Sequence, residues 1–553
     1  MTTLNNNNSG KTICLNMIVK NESHVIEGTL LNLWSYIHFD YWVICDTGST
    51  DQTMDIIRAF FKERNVPGEL LQHEWRDFGH NRTCALQAAF GKSDYIWIFD
   101  ADDRIIGDFP PEMLHAHSRG FLTADQYFVP IGNVYVYSRN MLVSNKRQWM
   151  YEGVLHETIQ SAEPTHVQQL LQHGGKLQSQ ITPNSNYYIE SNRTGARNLN
   201  PDKYYLDALT LKRGYEDILA ALPSITDVSK YNHQRSLADR YAFYCAQSYK
   251  DAGSAYINDA IEWYTRVVRD LNNWNQEKYY SCLTLGYLYQ NKEVEASARA
   301  ETMENARNFK QQKLQWWLES FRFDPERIEG VANVMEVFRR EGNHYYHTLC
   351  NALYERIKDY QEVYLRNFTA NNKLFVDTTK WTTYTIEFQN SVSAYYTGNF
   401  SSGWEACRRI LVTAASPASK HNISAEHIHL TLHNMYHYCN VMKVTEHAIA
   451  TFGASDAAAG HAIITQLFLS VNLLSRQRID TLLREVATQP GIHGQTREAI
   501  DHKLRQELQT IFKLWTHLHS QINNTLLKNN MTVGDNNILT YYETKFAATT
   551  IAV

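Results

Sequence analysis

The feature that most constrains the fold is an apolar run that ends in three aspartates. Residues Tyr95–Phe99 are all large and hydrophobic, and Asp100, Asp102 and Asp103 follow directly. Such a run predicts a buried strand of a parallel sheet, and ligands of open α/β sheets bind beyond the carboxyl ends of these strands. Asp100 and Asp102 therefore indicate a candidate site for a divalent cation. The alternative is a solvated, aspartate-rich turn.

Strands and helices alternate before this run. Ile13–Val19 and Tyr41–Cys45 predict strands, and each is followed by a polar turn and a segment with helical periodicity. The second turn, Asp46–Asp51, supplies an acceptor, a glycine for close backbone approach and candidate helix caps. Three alternations within about ninety residues predict a doubly wound α/β domain.

The overall composition excludes some classes of partner. The net charge is −5 and the isoelectric point is near 6.5, which argues against nucleic acid as the main partner because a phosphate backbone requires a basic surface. Eight cysteines occur without a CxxC pair, as in reduced cytosolic proteins. No apolar run reaches the roughly eighteen residues of a transmembrane segment, and the first residues lack a signal-peptide pattern. We expect a cytoplasmic protein.

Four segments resemble family 2 glycosyltransferases of the GT-A fold. They are Met17–Glu22, Asp46–Asp51, Trp75–Arg82 and Asp100–Asp102, in this order along the chain. The resemblance implies a Rossmann-like mixed sheet and an enzyme that transfers a sugar, usually with inversion. The donor would be a nucleotide-diphospho-sugar, with UDP favoured, whose diphosphate is held by Mn²⁺ or Mg²⁺.

The same resemblance implies contacts to the donor. Asp46 would pair with the base, and uracil is favoured because a carboxylate can accept its imide N–H. Asn81 and Arg82 would contact the nucleotide or diphosphate, while Glu22 would lie beside the base or ribose. The alternatives are a surface arginine at position 82 and a helix-start carboxylate at position 22. The expected nucleotide contacts also include Asn21, Asp100 and Ala101.

The catalytic base is predicted in the segment Gly153–Glu157. Inverting transfer requires a group that takes the proton of the acceptor, and a carboxylate suits this task. The segment resembles the G-x-x-H-E stretch of bacterial family members, which makes Glu157 the predicted base. Glu152 and Asp103 are its rivals, and a purely structural ion pair of Glu157 with an arginine is the alternative.

Two histidines compete for the last position of the metal site. His173 resembles the histidine that completes this site near the end of many GT-A domains, and His156 is its competitor. The predicted ligands are thus Asp100, Asp102 and His173. Arg197 is predicted to fold over the diphosphate as part of a loop, with a linker cation as the alternative.

Helical periodicity dominates from Pro201 onward. Tyr249, Gly253, Ala260 and Tyr264 resemble the small and aromatic positions of a tetratricopeptide unit, and Tyr384–Leu411 is one of several further helix candidates. The expected division is a disordered leader (1–11), a catalytic domain (12–185), a linker or active-site loop (186–205), a tetratricopeptide-like helical domain (206–370), a further helical domain (371–530) and a tail (531–553).

These observations predict a metal-dependent glycosyltransferase whose acceptor is a hydroxyl or other nucleophile of a glycan or protein. The helical part would form a homodimer or present the acceptor. One alternative is a helical-repeat protein-binding scaffold with an inactive nucleotide-sugar-binding front domain. A nucleotidyltransferase or phosphohydrolase also uses paired aspartates and a metal, but the chain lacks a glycine-rich phosphate loop. The sequence leaves the sugar, base and acceptor open.

Overall fold

The chain divides into two compact units. One comprises Met1–Asp324 with Thr369–Thr378, and the other comprises Pro325–Phe368 with Thr379–Val553. The computed structural model describes residues 10–133, 135–162, 177–181, 186–298, 303–367, 373–377, 384–416, 423–442, 447, 450–451, 457–488, 506, 508–516, 518, 540–541 and 543–544.

The first unit begins with a mixed sheet. Its order is β3-β2-β1-β4-β7-β6-β11-β5, with β10 beside β6 and β12 beside β7, whereas β8 and β9 form a separate two-stranded ladder. The strands are β1 (Ile13–Val19), β2 (Tyr41–Asp46), β3 (Gly68–Gln72), β4 (Tyr95–Ile98), β5 (Asp103–Gly107), β6 (Gln126–Ile131), β7 (Tyr135–Ser144), β8 (Trp149–Glu152), β9 (Thr158–Ser161), β10 (Ser179–Ile181), β11 (Tyr187–Ser191) and β12 (Val376–Asp377).

The parallel half of this sheet determines where functional side chains meet. Strands β3, β2, β1 and β4 are mutually parallel, while β7 runs antiparallel to both β4 and β6. Val19 pairs with Asp46, and Asn16 pairs with Ile98. The segments that follow β1, β2 and β4 therefore lie at one edge of the sheet. The mixed Rossmann-like sheet confirms the predicted fold class.

Three helices pack against the parallel strands: α1 (Ile26–Tyr36), α2 (Thr53–Glu63) and α3 (Phe78–Ala89). Helix α2 buries Ile57, Phe60 and Phe61 on one face, as their i, i+3, i+4 spacing requires. The Asp77 side chain caps α3 by accepting a hydrogen bond from the His80 N–H at 2.7 Å. This cap fixes the start of the helix that carries Asn81 and Arg82.

The sheet continues into the segment that was expected to be a linker. Strand β11 (Tyr187–Ser191) pairs antiparallel with β5. Its sequence, YYIES, buries Tyr187 and Ile189 and alternates with period two. The polar residues just before it favoured a loop prediction, but the strand pairing depends on β5, which is distant in sequence.

The rest of the first unit is helical. Tyr249, Ala260 and Tyr264 are buried, and Gly253 has a φ of +107°. The tetratricopeptide-like assignment itself stays a prediction. The helices are α4 (Lys203–Ala221), α5 (Val228–Asp251), α6 (Ile257–Arg269), α7 (Asn275–Ser297) and α8 (Met303–Phe323).

The second unit is a helical assembly around its own apolar core, which includes Trp404, Met435 and Leu467. The predicted helix Tyr384–Leu411 is wrong as a single element, because it divides at Gly398, whose φ is +76°. Within the described residues, no helix combines the length and apolar character needed to cross a membrane. The helices are α9 (Glu329–Glu341), α10 (His344–Asn367), α11 (Thr385–Tyr396), α12 (Phe400–Ala415), α13 (Ala425–Val441) and α14 (Ala457–Thr488).

Candidate active site

The turns after β1 and β2 are tied together by hydrogen bonds. Asn21 has a φ of +56°, its side-chain oxygen accepts from the Thr50 N–H at 2.8 Å, and its own N–H donates to Ser49 Oγ at 2.9 Å. An asparagine tolerates this left-handed conformation better than most residues. The two turns therefore form one rigid rim at the edge of the sheet.

The predicted base-binding aspartate lies inside its own turn. Asp46 is fully buried, and its carboxylate accepts hydrogen bonds from the N–H groups of Gly48 and Ser49 at 3.0 Å. The neighbouring Thr47, rather than Asp46, lines the adjacent cavity. In this structure Asp46 stabilises the rim.

A cavity of about 470 Å³ lies beside this rim. Its volume falls in the range typical of small-molecule sites, roughly 300–1,000 Å³. The rings of Trp75 and Phe78 meet edge to face with centroids 4.8 Å apart and form an apolar wall. The lining comprises residues 18–22, Thr47, Trp75 and Phe78, with Ala196, Arg197 and Asn200.

Asn81, predicted to contact the nucleotide, holds the loop that carries Trp75. Its side-chain oxygen accepts from the Arg76 N–H at 3.0 Å, and its amide donates to the Glu74 carbonyl at 3.0 Å. The side chain is fully buried. Asn81 thus acts on the cavity by positioning its aromatic wall.

The predicted base and the aspartate motif are joined by one guanidinium group. Arg82 donates through Nε to Glu157 at 2.7 Å and through one terminal nitrogen to Asp100 at 2.6 Å. The side chains of Arg82 and Glu157 are 12% and 11% exposed. Arg82, on helix α3, therefore fixes both carboxylates in a largely buried setting where charge-assisted hydrogen bonds are strong.

A second arginine, Arg139 on β7, completes this cluster. It donates to Asp100 at 3.1 Å and to Asp103 at 3.1 Å. Burial alone would raise the pKa of Asp100, but Arg82 and Arg139 hold it well below its usual range. Burial and the negative charge of Asp100 raise the pKa of Asp103 to about 7.

The loop after β11 lies over the carboxylates of Asp102 and Glu22. The Gly195 N–H donates to Asp102 Oδ2 at 2.9 Å, and the Ala196 N–H approaches both Glu22 oxygens at 3.3 Å. Burial raises the pKa of Glu22 to about 7, and the charge of Asp102 adds to the rise. Two carboxylates therefore face the same short stretch of backbone.

Two further predicted contacts to the donor are Ala101 of the aspartate motif and Arg197 of the loop after β11. Ala101 is buried, and its carbonyl accepts from Thr29 Oγ1 at 2.6 Å. Arg197 lines the cavity, is paired with Asp207 and has its guanidinium 4.8 Å from the centre of the Phe78 ring. The predicted loop arginine is thus already beside the cavity.

The rivals of Glu157 are engaged elsewhere. Glu152 is bonded to His233, and it accepts from Gln234 at 3.0 Å and from Gln160 at 2.8 Å. Asp103 is only 2% exposed. Of the three carboxylates, Glu157 is the one joined to the aspartate motif through Arg82.

The three predicted metal ligands, Asp100, Asp102 and His173, do not form a complete site within the described residues. Within the part of the chain that the structure describes, no three His, Cys, Asp or Glu side chains converge as a metal cluster. His173 lies outside the described residues. His156 stacks on Tyr244 of α5 with ring centroids 4.0 Å apart. Asp100 is bound by two arginines, whereas Asp102 is bonded to a backbone amide.

Arg139 is the main functional side chain that sequence reasoning missed. It lies within β7, whose sequence YVYSRNMLVS places an arginine inside a strand that is apolar towards both of its ends. Arginine is rarely buried in a sheet without a carboxylate partner, and this rule was the available signal. The partner could not be chosen because Asp100 is 39 residues away.

Comparison with known proteins identifies one family model for the first part of the chain. Residues 14–173 match the family model of glycosyl transferase family 2, while none of the curated proteins matches the chain. A crystal structure of S. aureus TarS 1-349 in complex with UDP-GlcNAc is 15% identical over 55% of this chain and 92% of that chain, with a TM-score of 0.29.

A second similar structure is the mannosyltransferase PcManGT from Pyrobaculum calidifontis in complex with GDP-Man and Mn²⁺. It is 11% identical over 56% of this chain and 85% of that chain, with a TM-score of 0.27. Both likenesses are low, so the assignment depends on the family model and on the motifs at the edge of the sheet. Residues 14–173 form a family 2 glycosyltransferase domain, as the sequence motifs predicted, and the chain is a glycosyltransferase.

Proposed function

We propose that this enzyme transfers a sugar, with inversion, from a nucleotide-diphospho-sugar to a nucleophile of a glycan or protein acceptor. One observation carries the proposal. Arg82 joins Glu157 to Asp100 at the carboxyl end of β4, and the cavity with the aromatic wall is lined by the segments that follow β1 and β2 at the same edge of the sheet. A base and the aspartate motif are therefore held together at the edge where ligands of such sheets bind.

Glu157 is the proposed base. It would take the proton of the acceptor as that group attacks the anomeric carbon from the face opposite the leaving nucleotide. The Arg82 ion pair fixes the orientation of its carboxylate. Glu157 is preferred to Glu152 because Arg82 joins it to Asp100, and it is preferred to Asp103 because that residue is only 2% exposed.

Asp102 is the proposed first ligand of a divalent metal, Mn²⁺ or Mg²⁺. Asp102 and Glu22 both lie against Gly195, within 3.1 Å of the position that a Cβ there would occupy. A cation bound to Asp102 would offset the repulsion between these two carboxylates, and carboxylate oxygens suit a hard metal. Asp100 would help only by giving up part of its two ion pairs. When bound, the metal would neutralise the charge of the departing diphosphate.

The cations beyond the sheet support a diphosphate position near Arg197. Burial and the neighbouring charge of Arg197 lower the pKa of Lys203. An anion placed between these two side chains would remove this penalty. We therefore propose that Arg197 contacts the diphosphate, and that Asn21 and Glu22, which line the cavity, contact the base or ribose.

The choice of UDP is also a proposal. It comes from the resemblance and from the suitability of a carboxylate for an imide N–H. Asp46 could reach the base only if Gly48 and Ser49 released its oxygens. A panel of nucleotide sugars with different bases tests this point directly.

The experiment measures thermal stabilisation and nucleotide release for each donor, with Mn²⁺ and with a chelator. We expect one donor class to stabilise the protein in a metal-dependent way and to be turned over. The Glu157→Gln variant should keep donor binding and lose turnover. Donor binding without turnover by the wild type, with glycan and protein acceptors, would instead support an inactive front domain, and full activity of the variant would remove Glu157 as the base.

A further inference from the structure

The turn that carries Glu157 is held from behind by helix α5. The Val154 N–H donates to the hydroxyl of Tyr241 at 2.9 Å, and the carbonyl of His156 accepts from Arg240 Nε at 3.2 Å. Leu155 between them is buried in the helical core of the first unit. Three consecutive residues are therefore each fixed by the helical segment rather than by the sheet.

The ring of His156 adds a third contact to α5. It stacks on Tyr244 with centroids 4.0 Å apart and an interplanar angle of 13°. Arg240 also lies 4.8 Å from the centre of the Tyr244 ring and 3.8 Å from Glu277 on α7. The contacts of the turn thus continue through Arg240 to Glu277 on α7.

The backbone of the turn requires such support. His156 has a φ of +52° and Gly153 a φ of +122°. A non-glycine residue in the left-handed region persists only when its surroundings determine the conformation. The residue immediately before the proposed base is therefore strained, and Arg240 and Tyr244 are the side chains in contact with it.

A glycine on the neighbouring helix allows the close approach. A Cβ at Gly214 of α4 would lie 2.9 Å from the Tyr241 ring and 3.3 Å from Val154 Cγ2. Any larger residue would separate α4 from this pair. The small residue leaves room for Tyr241 to reach the backbone of the turn.

We infer that Arg240, Tyr241 and Tyr244 are positioning residues of the transferase reaction. They act through the backbone of residues 154–156 and thereby position the carboxylate of Glu157. Arg82 on helix α3 binds the same carboxylate. The inference depends on the proposed role of Glu157 as the base. It makes the first helical segment a part of the catalytic machinery in addition to any role in acceptor binding.

The test uses the full chain and the donor selected by the panel. Tyr241→Phe removes one hydroxyl from the turn without changing the shape of the ring. We expect kcat to fall about tenfold because small misplacements of a reacting group are costly. The KM for the donor should stay within about twofold, since none of these residues lines the donor cavity.

Tyr249→Phe is the matched control. Tyr249 is also a buried tyrosine of α5, but its ring packs against Tyr256 on the other side of the turn at Gly253. The Tyr249→Phe substitution should leave kcat unchanged. A second pair, Arg240→Met and Arg240→Lys, tests the other contact, because the lysine retains a donor for the His156 carbonyl and should restore part of the lost kcat.

Three outcomes separate this inference from the proposed function. If Glu157→Gln keeps full activity, the base assignment fails and the inference fails with it. If Glu157→Gln is inactive while Tyr241→Phe and Arg240→Met keep full kcat, only the inference is overturned. If the α5 variants lose kcat, donor affinity and melting temperature together, the contacts serve only general packing and the inference is also overturned.

Discussion

The sharpest prediction concerns Gly79, which lies in the first turn of α3 against the turn that carries Glu157. A Cβ at this position would be 2.5 Å from the Gly153 carbonyl oxygen, whereas ordinary contact begins near 3.4 Å. In Gly79→Ala, the helix and the turn must therefore separate by about 0.9 Å. Arg82 lies on the helix and Glu157 on the turn, so the 2.7 Å bond between them is directly affected.

The magnitude follows from that bond. A lengthening of this size takes the Nε to carboxylate distance beyond the range of a good hydrogen bond. A hydrogen bond to a charged group contributes about 1.5–3 kcal/mol, which corresponds to a loss of about 10- to 100-fold in kcat/KM. Stability should fall as well, because alanine improves the helix by only about 0.5–1 kcal/mol and offsets only part of an overpacking cost of about 1–3 kcal/mol.

The assay is nucleotide release from the donor selected by the panel, together with a denaturant titration of each protein. Gly120→Ala is the control, since a Cβ there meets no atom within 4 Å and its φ lies outside the left-handed region. It should match the wild type in both measurements. Unchanged kcat/KM for Gly79→Ala would refute the claim that the spacing between α3 and the turn determines the position of the Glu157 carboxylate.

Three further predictions concern the metal, pH and the helical core. In the presence of Mn²⁺, a donor concentration of about 100 times the donor Kd should raise the free energy of unfolding of the wild type by about 2.7 kcal/mol. The Asp102→Asn variant should lose this stabilisation. Equal stabilisation of both proteins would exclude Asp102 as a metal ligand. Glu22 has a pKa raised to about 7, so its ionisation destabilises the folded protein progressively as pH rises from about 4.5 through 7. Glu22→Gln should therefore be more stable than wild type at pH 8 by about 1 kcal/mol, after allowance for partial exposure, and equal to it at pH 4; a difference independent of pH in thermal melts would contradict this. In Gly286→Ala on α7, the new Cβ would lie 2.1 Å from Nε1 of Trp317 on α8, so the free energy of unfolding should fall by about 1–3 kcal/mol. An unchanged denaturation midpoint would refute this close approach of the two helices.

The parallel half of the sheet was predictable because its signals are local. Ile13–Val19 is apolar except for Asn16, and β1 has the same bounds in the structure. The run Tyr95–Phe99 likewise predicts β4, which ends one residue earlier, at Ile98. The position of Asp100 and Asp102 at the edge follows from these strands alone.

The partners of the site residues were not predictable, because they come from distant segments. Arg82 and Glu157 are 75 residues apart, and Val154 and Tyr241 are 87 apart. Sequence spacing gives no information about such contacts when the intervening chain forms several strands and helices. Asp46 and Asn81 differ from these residues, because their side chains hold backbone turns through partners that lie only two to seven residues away.

Strand β12 has a consequence for how this protein can be made. The catalytic unit draws residues 369–378 from beyond the first helices of the other unit, and Val376 and Asp377 pair with β7. During synthesis on the ribosome, the sheet therefore lacks strand β12 until the chain has been made beyond Asp377. A fragment that stops near residue 340 would leave the backbone of β7 unpaired there, an open edge of the kind that promotes aggregation.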